Sequence, residues 1–256
     1  MGSRVLSMIR ANAAFDLDGT LPLVVNGEAN LDRVHVFCRN FRRRGICSLF
    51  LEGLPQLLHT DLQRSGSAFL HVLRSAPEAD KITSSAGPFY DSVACVDLDT
   101  AREISRYARN TWNPEEEYED DFLYVTFLMK MFFLDADNED LSSIVQRYKV
   151  LGAEAGDPRF DICASFLEND NSRFERALDR LIRNYDEHYK TGMKRDEILE
   201  EEWATEGQLF VEGLALVRLA WIHGFYTETN YQFIPSLVID TQFNGLNPDS
   251  WKSPIQ

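Results

Sequence analysis

The side chains best suited to catalysis or metal binding are scattered along this chain of 256 residues. None of the five histidines stands in a His-Glu-x-x-His arrangement, and none of the four cysteines belongs to a Cys-x-x-Cys pair. These residues are His35, His59, His71, His188, His223, Cys38, Cys47, Cys95 and Cys163. No Gly-x-Ser-x-Gly elbow, phosphate-binding loop or dinucleotide fingerprint occurs either. We therefore assign no catalytic role to any histidine and predict reduced cysteines in the core, as is typical of a cytoplasmic protein.

One pair of carboxylates has a more suggestive context. The string Phe15-Asp16-Leu17-Asp18-Gly19-Thr20-Leu21 resembles the first motif of haloacid-dehalogenase-like phosphatases, and residues 156–161, Gly-Asp-Pro-Arg-Phe-Asp, resemble their late acidic motif. The resemblance implies that Asp16 attacks phosphorus, that Asp18 handles the proton, and that both help to hold Mg²⁺. A magnesium-dependent phosphatase is thus one hypothesis for this chain.

The sequence around these aspartates argues against that phosphatase. Its chemistry needs the first aspartate at the carboxyl end of a buried parallel strand, but residues 10–14 lack the β-branched run of such a strand. Between the two motifs lie amphipathic helices, without the strand–helix alternation of a doubly wound sheet. We interpret Asp16, Asp18 and Gly19 as a turn and a helix cap, and we predict no cofactor and no metal site.

The charge of the chain is lopsided, with 41 acidic and 26 basic residues and a formal net charge of −15. Such a surface repels nucleic acid and anionic membranes and attracts basic proteins at long range. The alternative is that the acidic excess only keeps the protein soluble. The longest apolar run, 122–134, is interrupted by Lys130 and is too short to span a bilayer, and residues 1–14 lack the features of a secretion signal. We therefore expect a cytoplasmic protein with no nucleic-acid or membrane partner.

Apolar residues recur at helical spacing along most of the chain. One stripe covers 31–49 and a second covers 54–73, and the Gly-Leu-Pro sequence at 53–55 separates them, which predicts two antiparallel helices. Four arginines fall largely outside the first stripe and are interpreted as a solvated basic face rather than an anion site. They are Arg39, Arg42, Arg43 and Arg44. Residues 76–92 are rich in Pro, Gly and Ser and predict a surface connection.

Helix starts are marked by pairs at capping-box spacing. Thr100 and Glu103 form one pair, and Ser172 and Glu175 form the other. In both cases the hydroxyl side chain is expected to cap the first turn. Leu214, Leu219 and Trp221, in the nearly apolar run 209–222, are expected to be buried.

The fold class predicted is all-α. The run 118–134 is apolar on more than one face, which indicates a helix covered by neighbours on both sides. A weak strand pattern occurs only at 92–96. We expect antiparallel helical hairpins packed as an array around a continuous core, with minor or no strand. Residues 1–256 are interpreted as a single domain, with a subdomain boundary predicted near 76–92.

Four segments occur in a recognisable order. They are YEDDFLYVTFL (118–128), FLENDNSRFERALDRLIRNYDEHY (166–189), EGLALVRLAWIHGF (212–225) and NYQFIP (230–235). Together they resemble the immunity protein 49 family, whose members are antidotes to bacterial polymorphic toxins. That family combines a short apolar-acidic turn, a Phe-Ala-Leu helix, a hydrophobic helix and a Tyr-Pro end. This chain differs in carrying Trp221, Ile222 and His223 where the family usually has Tyr-Asp.

The resemblance implies a helical protein that is not an enzyme and that neutralises a cognate toxin by binding it. The side chains most available for that contact form two acidic runs, and their charge predicts a basic toxin domain. The runs are Glu115, Glu116, Glu117, Glu119, Asp120 and Asp121, and Glu197, Glu200, Glu201, Glu202 and Glu206. Each run has a structural alternative, namely a favourable helix N-terminus for the first and a solvated helix face for the second. A non-catalytic helical scaffold would share all these features except the family resemblance.

Overall fold

The computed structural model describes residues 3–151 and 156–253, and the regular elements in these ranges are helices. The α-helices are α1 Ser3–Val25, α2 Leu31–Glu52, α3 Pro55–Leu73, α4 Gly87–Ala94, α5 Leu98–Tyr107, α6 Glu119–Phe133, α7 Asn138–Val150, α8 Pro158–Glu168, α9 Asn171–Lys194, α10 Glu200–Ala204, α11 Val211–His223 and α12 Ser236–Ile239. Short 3-10 turns lie at Glu78–Asp80, Glu206–Gln208 and Ser250–Lys252. One isolated bridge, Tyr231 to Ile234, is the nearest approach to a strand within the described ranges. The all-α prediction is confirmed.

Helices α2 and α3 form the hairpin that the two apolar stripes predict. Gly53 ends α2 in the left-handed conformation, with φ of +69°, and its amide donates to the Leu49 carbonyl at 2.9 Å. Pro55 then occupies the first turn of α3, where its missing amide hydrogen costs no hydrogen bond. Because only two residues separate the helices, α3 returns antiparallel along α2. Helix α1 packs on the other side of α2, and Arg10 is ion-paired with Glu52.

A hydrophobic cluster extends continuously from Leu17 in α1 to Trp251 near the described end of the chain. Helix α4 lies within it, between α3 and α11, and Phe89 is fully buried. At Gly66 the approach of α3 to α4 is so close that a β-carbon would overlap the Ser92 hydroxyl. This glycine therefore sets the spacing between the two helices.

The interpretation of 76–92 as a surface connection is wrong for its second half, and the weak strand at 92–96 does not form. Helix α4 begins at Gly87, Pro88 lies in its first turn, and residues 88–94 are buried. Proline and glycine mark a helix start here rather than a loop, because proline is well tolerated in the first turn. The subdomain boundary near this segment stays a prediction.

Aspartates, rather than the predicted hydroxyl residues, cap α5 and α9. Asp97 accepts a hydrogen bond from the Thr100 amide at 3.2 Å, and Asp170 accepts one from the Arg173 amide at 2.9 Å. The helices consequently start two or three residues earlier than the capping-box pairs predict. An aspartate three residues before Thr100 and one two residues before Ser172 supply the same kind of acceptor, and sequence spacing alone does not decide between an aspartate cap and a hydroxyl cap.

The family-like segments join α8, α9 and α11. Asn169, with φ of +56°, ends α8 directly before the Asp170 cap, so the apolar-acidic turn is a tight helix–helix connection. The Phe210 amide donates to the Phe233 carbonyl at 2.9 Å, and the Tyr231 hydroxyl donates to the Glu175 carboxylate at 3.1 Å. The Tyr-Pro end thus fastens the start of α11 to α9.

Burial of α11 is confirmed for Leu214 and Leu219, which are both fully covered. It is wrong for Trp221, which is 40% exposed. The last turn of α11 extends beyond its neighbours, and the Trp221 ring lies beneath the Arg218 guanidinium while its indole N–H donates to Thr227. The predicted helix end at Gly152 lies outside the described residues; α7 ends at Val150.

Candidate functional site

The first acidic segment, residues 115–121, divides into buried and exposed members. Glu117 is only 9% exposed, and its carboxylate accepts hydrogen bonds from the amides of Ser84 at 2.8 Å and Asn113 at 3.3 Å. Its main-chain carbonyl accepts a third from the Trp112 indole at 2.9 Å. Glu117 therefore holds the connection before α6 in place, and its carboxylate is not available to a partner.

The remaining acids of this segment face solvent to different degrees. Glu119, Asp120 and Asp121 stand in the first turn of α6, where negative charge is favourable, as the structural alternative predicts. A bidentate bond at 2.6 and 2.7 Å joins Glu119 to Arg147, and this contact lowers the pKa of Glu119. Asp120 and Asp121 both pair with a single arginine of α8, Arg159. Glu115 and Glu116 are exposed and have no ion pair within the described ranges.

The second acidic segment, residues 197–206, is divided in the same way. Arg43 of α2 donates to Glu206 at 2.8 and 3.1 Å and to Glu201 at 2.7 Å. These two acids fasten α10 and the following 3-10 turn to α2. Glu197 and Glu200 are exposed, and Glu202 is partly exposed. Whether any of them contacts a partner stays a prediction, but the solvated members are the candidates.

The basic face predicted for α2 is wrong for three of its four arginines. Arg42 donates to Asp91 at 2.7 Å, Arg43 binds the two glutamates, and Arg44 holds Asp61 at 2.5 and 2.9 Å. Burial acts to lower the pKa of Arg42, but the Asp91 carboxylate outweighs this and raises it. Only Arg39 is exposed. Neighbouring helices supply carboxylates to this face, so it is internal.

A cleft of about 540 Å³ lies where α2, α4, α9 and the start of α11 meet. Its lining includes Asp32, His35, Arg39 and Arg42 of α2, Gly87, Pro88 and Tyr90 of α4, Tyr185 and Tyr189 of α9, and Glu206, Phe210 and Glu212 around the start of α11. Burial lowers the pKa of His35 to about 4, so its ring is neutral near pH 7. The cleft thus combines aromatic rings with carboxylates and guanidinium groups, a mixture suited to binding a polar or charged group.

Both acidic segments reach the surroundings of this cleft. Glu206 lines it directly. Glu116 lines a neighbouring depression of about 290 Å³ together with Asp80, and Asp32 belongs to both concavities. One member of each predicted acidic run, Glu116 or Glu206, therefore lies beside the same concave region. These two residues are separated in the sequence by about a third of the chain.

Glu212 is the carboxylate that the sequence-based candidates omit. It stands in the first turn of α11, is partly buried, and accepts a hydrogen bond from the Tyr124 hydroxyl at 2.9 Å. Burial raises the pKa of its carboxyl, while the bond to Tyr124 and the charge of Arg159 act in the opposite direction. Its sequence signal is that it is the one acid in the otherwise nearly apolar run 209–222.

The phosphatase motifs do not form a site. Asp16 and Asp18 are exposed in the middle of α1, so the predicted turn and cap are also wrong: the string continues one helix from Ser3 to Val25. Asp157 caps α8 and accepts from the Tyr148 hydroxyl at 2.7 Å, and Asp161 is bound by Arg173 and Arg180. No strand exists within 3–151 or 156–253 to present an aspartate as that chemistry requires.

The cysteines, the remaining side chains that could take part in catalysis or metal binding, are packed in the core. All four cysteines are buried as free thiols, and burial raises the pKa of Cys47 to about 12, which keeps it protonated and unreactive. Within the described ranges, no three His, Cys, Asp or Glu side chains are grouped to hold a metal ion. In the same part of the chain, no helix combines the length and apolar character needed to cross a bilayer.

Within the described ranges the chain forms an all-α array with a polar cleft beside the two acidic segments, and it has no strand edge of the kind on which a phosphatase presents its aspartates. The family model for immunity protein 49 matches residues 54–237, which is most of the chain. The chain belongs to the immunity protein 49 family. Neither the curated proteins nor the solved structures contain a match to it.

Proposed function

We propose that this protein is an antidote that binds a cognate bacterial toxin in a stoichiometric complex in the cytoplasm and neutralises it without catalysis. Membership of the immunity protein 49 family over 54–237 is the observation that carries this proposal. An immunity protein implies a toxin partner, and the simplest neutralisation is to cover the toxin's active site.

The charge distribution supports a basic toxin domain as the partner. A net charge of −15 attracts a basic protein over long distances and raises its association rate. The solvated acids beside the cleft, including Glu116, concentrate that attraction on one region. The acids bound inside the fold contribute to the long-range field but not to direct contact.

Co-expression with the open reading frame next to this gene tests the proposal. We expect the wild-type protein to rescue growth of cells that express the neighbouring toxin, and to co-purify with it in a fixed ratio. Because an antidote acts at low concentration, a dissociation constant on the order of nanomolar is expected, which corresponds to roughly 12 kcal/mol of binding free energy.

Asp16→Asn is the control that addresses the phosphatase hypothesis. It changes an exposed side chain in the middle of α1, so rescue and complex formation should be unaffected. Magnesium-dependent phosphate release that disappears in Asp16→Asn, together with absence of any toxin complex, would replace the proposed function with an enzymatic one. A helical scaffold would instead show neither rescue nor turnover.

A further inference from the structure

Glu212 is a partly buried carboxylate with no cationic partner. Within the described residues it forms no salt bridge, and the hydrogen bond it accepts comes from a neutral group, the Tyr124 hydroxyl, at 2.9 Å. Two arginines act on its charge from a distance, but Arg159 is bound to Asp121 and Arg42 to Asp91. A carboxylate withdrawn from water without a counter-charge is costly, and a cation supplied by a partner would offset that cost.

Aromatic rings share the cleft with Glu212. The Tyr185 ring packs edge-on against Tyr189, with centroids 4.8 Å apart, and lies 4.3 Å from the Phe210 centroid. The Tyr185 hydroxyl donates to the main-chain carbonyls of Glu206 and Leu209, so this wall is fixed before any partner arrives. Aromatic faces attract cations, and the weakly hydrated, planar guanidinium group benefits most from such a wall.

We propose that the cleft receives an arginine side chain of the toxin, whose guanidinium group pairs with the Glu212 carboxylate beside these rings. The proposal rests on the proposed function for the identity of its partner, and it adds the anchor that determines how long the complex lasts. A pre-formed pocket for one buried arginine has the character of a binding hot spot. The cleft volume of about 540 Å³ lies within the range of sites that enclose small ligands.

The other charged groups of the cleft decide between a cationic and an anionic occupant. Arg42 and Arg39 also line it, and an acidic side chain bound to them is the competing occupant. Arg42, however, already donates to the fully buried Asp91, so its charge is compensated, whereas that of Glu212 is not. The adjoining depression adds Asp80 and Glu116 to Asp32 at the rim, which further favours a cation.

Small probes test the chemistry of the cleft without the toxin. The isotope-labelled protein is titrated with N-acetyl-L-argininamide, its neutral isostere N-acetyl-L-citrullinamide, and the anionic N-acetyl-L-glutamamide, and amide resonances are followed by NMR. We expect saturable shifts around Tyr185, Phe210 and Glu212 with the arginine probe in the millimolar range. The citrulline and glutamate probes should bind at least tenfold more weakly.

Glu212→Gln is the decisive variant, and Glu175→Gln is its matched control. Each glutamate is partly buried on a helix and accepts from a tyrosine hydroxyl, Tyr124 for Glu212 and Tyr231 for Glu175, but Glu175 does not line the cleft. Glutamine can still accept that hydrogen bond, so both variants should fold. Glu212→Gln should lose at least tenfold in affinity for the arginine probe, while Glu175→Gln should match the wild type.

The toxin complex gives a second, separate readout. Glu212→Gln should raise the dissociation constant at least tenfold, mainly through faster dissociation, and Glu175→Gln should not. A wild-type protein that binds the arginine probe but no toxin would remove the proposed function and leave the cationic site intact. Equal binding of the arginine and citrulline probes, preference for the glutamate probe, or an unchanged Glu212→Gln would overturn the arginine site itself.

Discussion

Helices α2 and α11 are both largely buried, yet different forces hold them in the fold. From Val211 to Ala220, α11 buries every residue except Glu212, and most of them are apolar. Helix α2 instead carries three arginines that are bound by carboxylates of α3, α4 and the segment around α10. A run of arginines therefore need not mark a solvated face, because helices distant in sequence can supply the opposite charge.

The polar residues of the two helices differ in the same respect. Every internal arginine of α2 has a carboxylate partner within the described ranges, for example Arg44 with Asp61 at 2.5 Å. In α11 the acid Glu212 and the base Arg218 both lack an ion pair there, and burial lowers the pKa of Arg218. Compensated charges fix the architecture of α2, and the uncompensated Glu212 opens on the cleft. Substitutions in the two helices should therefore have different effects on stability and on binding.

The largest effect is expected from breaking the buried network of α2 at Asp91. Asp91→Ala removes a carboxylate that is fully buried and that accepts from Arg42 at 2.7 Å and from the Ser65 hydroxyl at 2.5 Å. The Arg42 guanidinium then lacks its partner, so the free energy of unfolding should fall by about 3 to 5 kcal/mol. Urea denaturation measures this loss. Asp99→Ala is the control: the Asp99 side chain pairs with Arg102 but is 95% exposed, so its removal should hardly change the free energy of unfolding.

A similar but slightly smaller loss is expected from α11. Leu219→Ala removes a fully buried side chain from the main hydrophobic cluster and should cost about 2 to 5 kcal/mol through lost transfer energy and the cavity left behind. Leu237→Ala makes the same chemical change at 53% exposure and should cost much less. Equal melting temperatures for Leu219→Ala and the wild type, combined with lost toxin protection, would mean that α11 forms an interface rather than core.

The contrast between the two helices also explains which features of the fold can be predicted from the sequence. Periodic apolar spacing and the Gly-Leu-Pro break predict α2, α3 and the burial of Leu219 correctly, because these depend on neighbours along the chain. The partners of Arg43 cannot be predicted in this way, because Glu206 lies 163 residues away and no local sequence pattern indicates that the two side chains are in contact. The sequence does not predict the cleft for the same reason: its walls come from α2, α4, α9 and α11, which are far apart along the chain. Only the isolated acid in an apolar run, Glu212, left a signal in the sequence.

A third prediction concerns pH and the attachment of the chain's last described segment to α3. His59 is fully buried, its Nε2 lies 3.2 Å from the Val238 carbonyl, and its ring stacks on Phe243. Burial lowers the pKa of His59 from 6.5 to about 4. The unfolded chain therefore binds a proton more readily, so this contribution is complete above pH 6.5 and is lost as the pH falls toward 4.

We expect His59 to account for roughly 1 kcal/mol of the stability lost between pH 7.5 and 5.5. His59→Gln keeps a donor for Val238 but removes the titrating group, so the variant should lose correspondingly less on acidification. His188→Gln changes an exposed histidine and should follow the wild type. Chemical denaturation at the two pH values measures the difference, and an identical pH dependence of His59→Gln and the wild type would contradict the assignment.

The smallest effect on stability should come from acidic residues that, in the described part of the chain, form no ion pair with the arginines of α2, such as Glu115 and Glu116. The double variant Glu115→Lys, Glu116→Lys reverses two exposed charges, so the free energy of unfolding should be almost unchanged. The double variant Glu201→Lys, Glu206→Lys removes both partners of Arg43 and should destabilise the fold.

The exposed pair, Glu115 and Glu116, should act instead on the association rate of a basic toxin. Reversing their charges should slow association several-fold at low salt, and the difference should shrink as salt screens the charges. Stopped-flow measurements at two ionic strengths resolve this, and the dissociation rate should hardly change, because it depends on buried contacts such as the one proposed for Glu212. If the exposed pair leaves the association rate unaltered, these acids only keep the protein soluble, and steering must come from Glu197 and Glu200, the exposed members of the other segment.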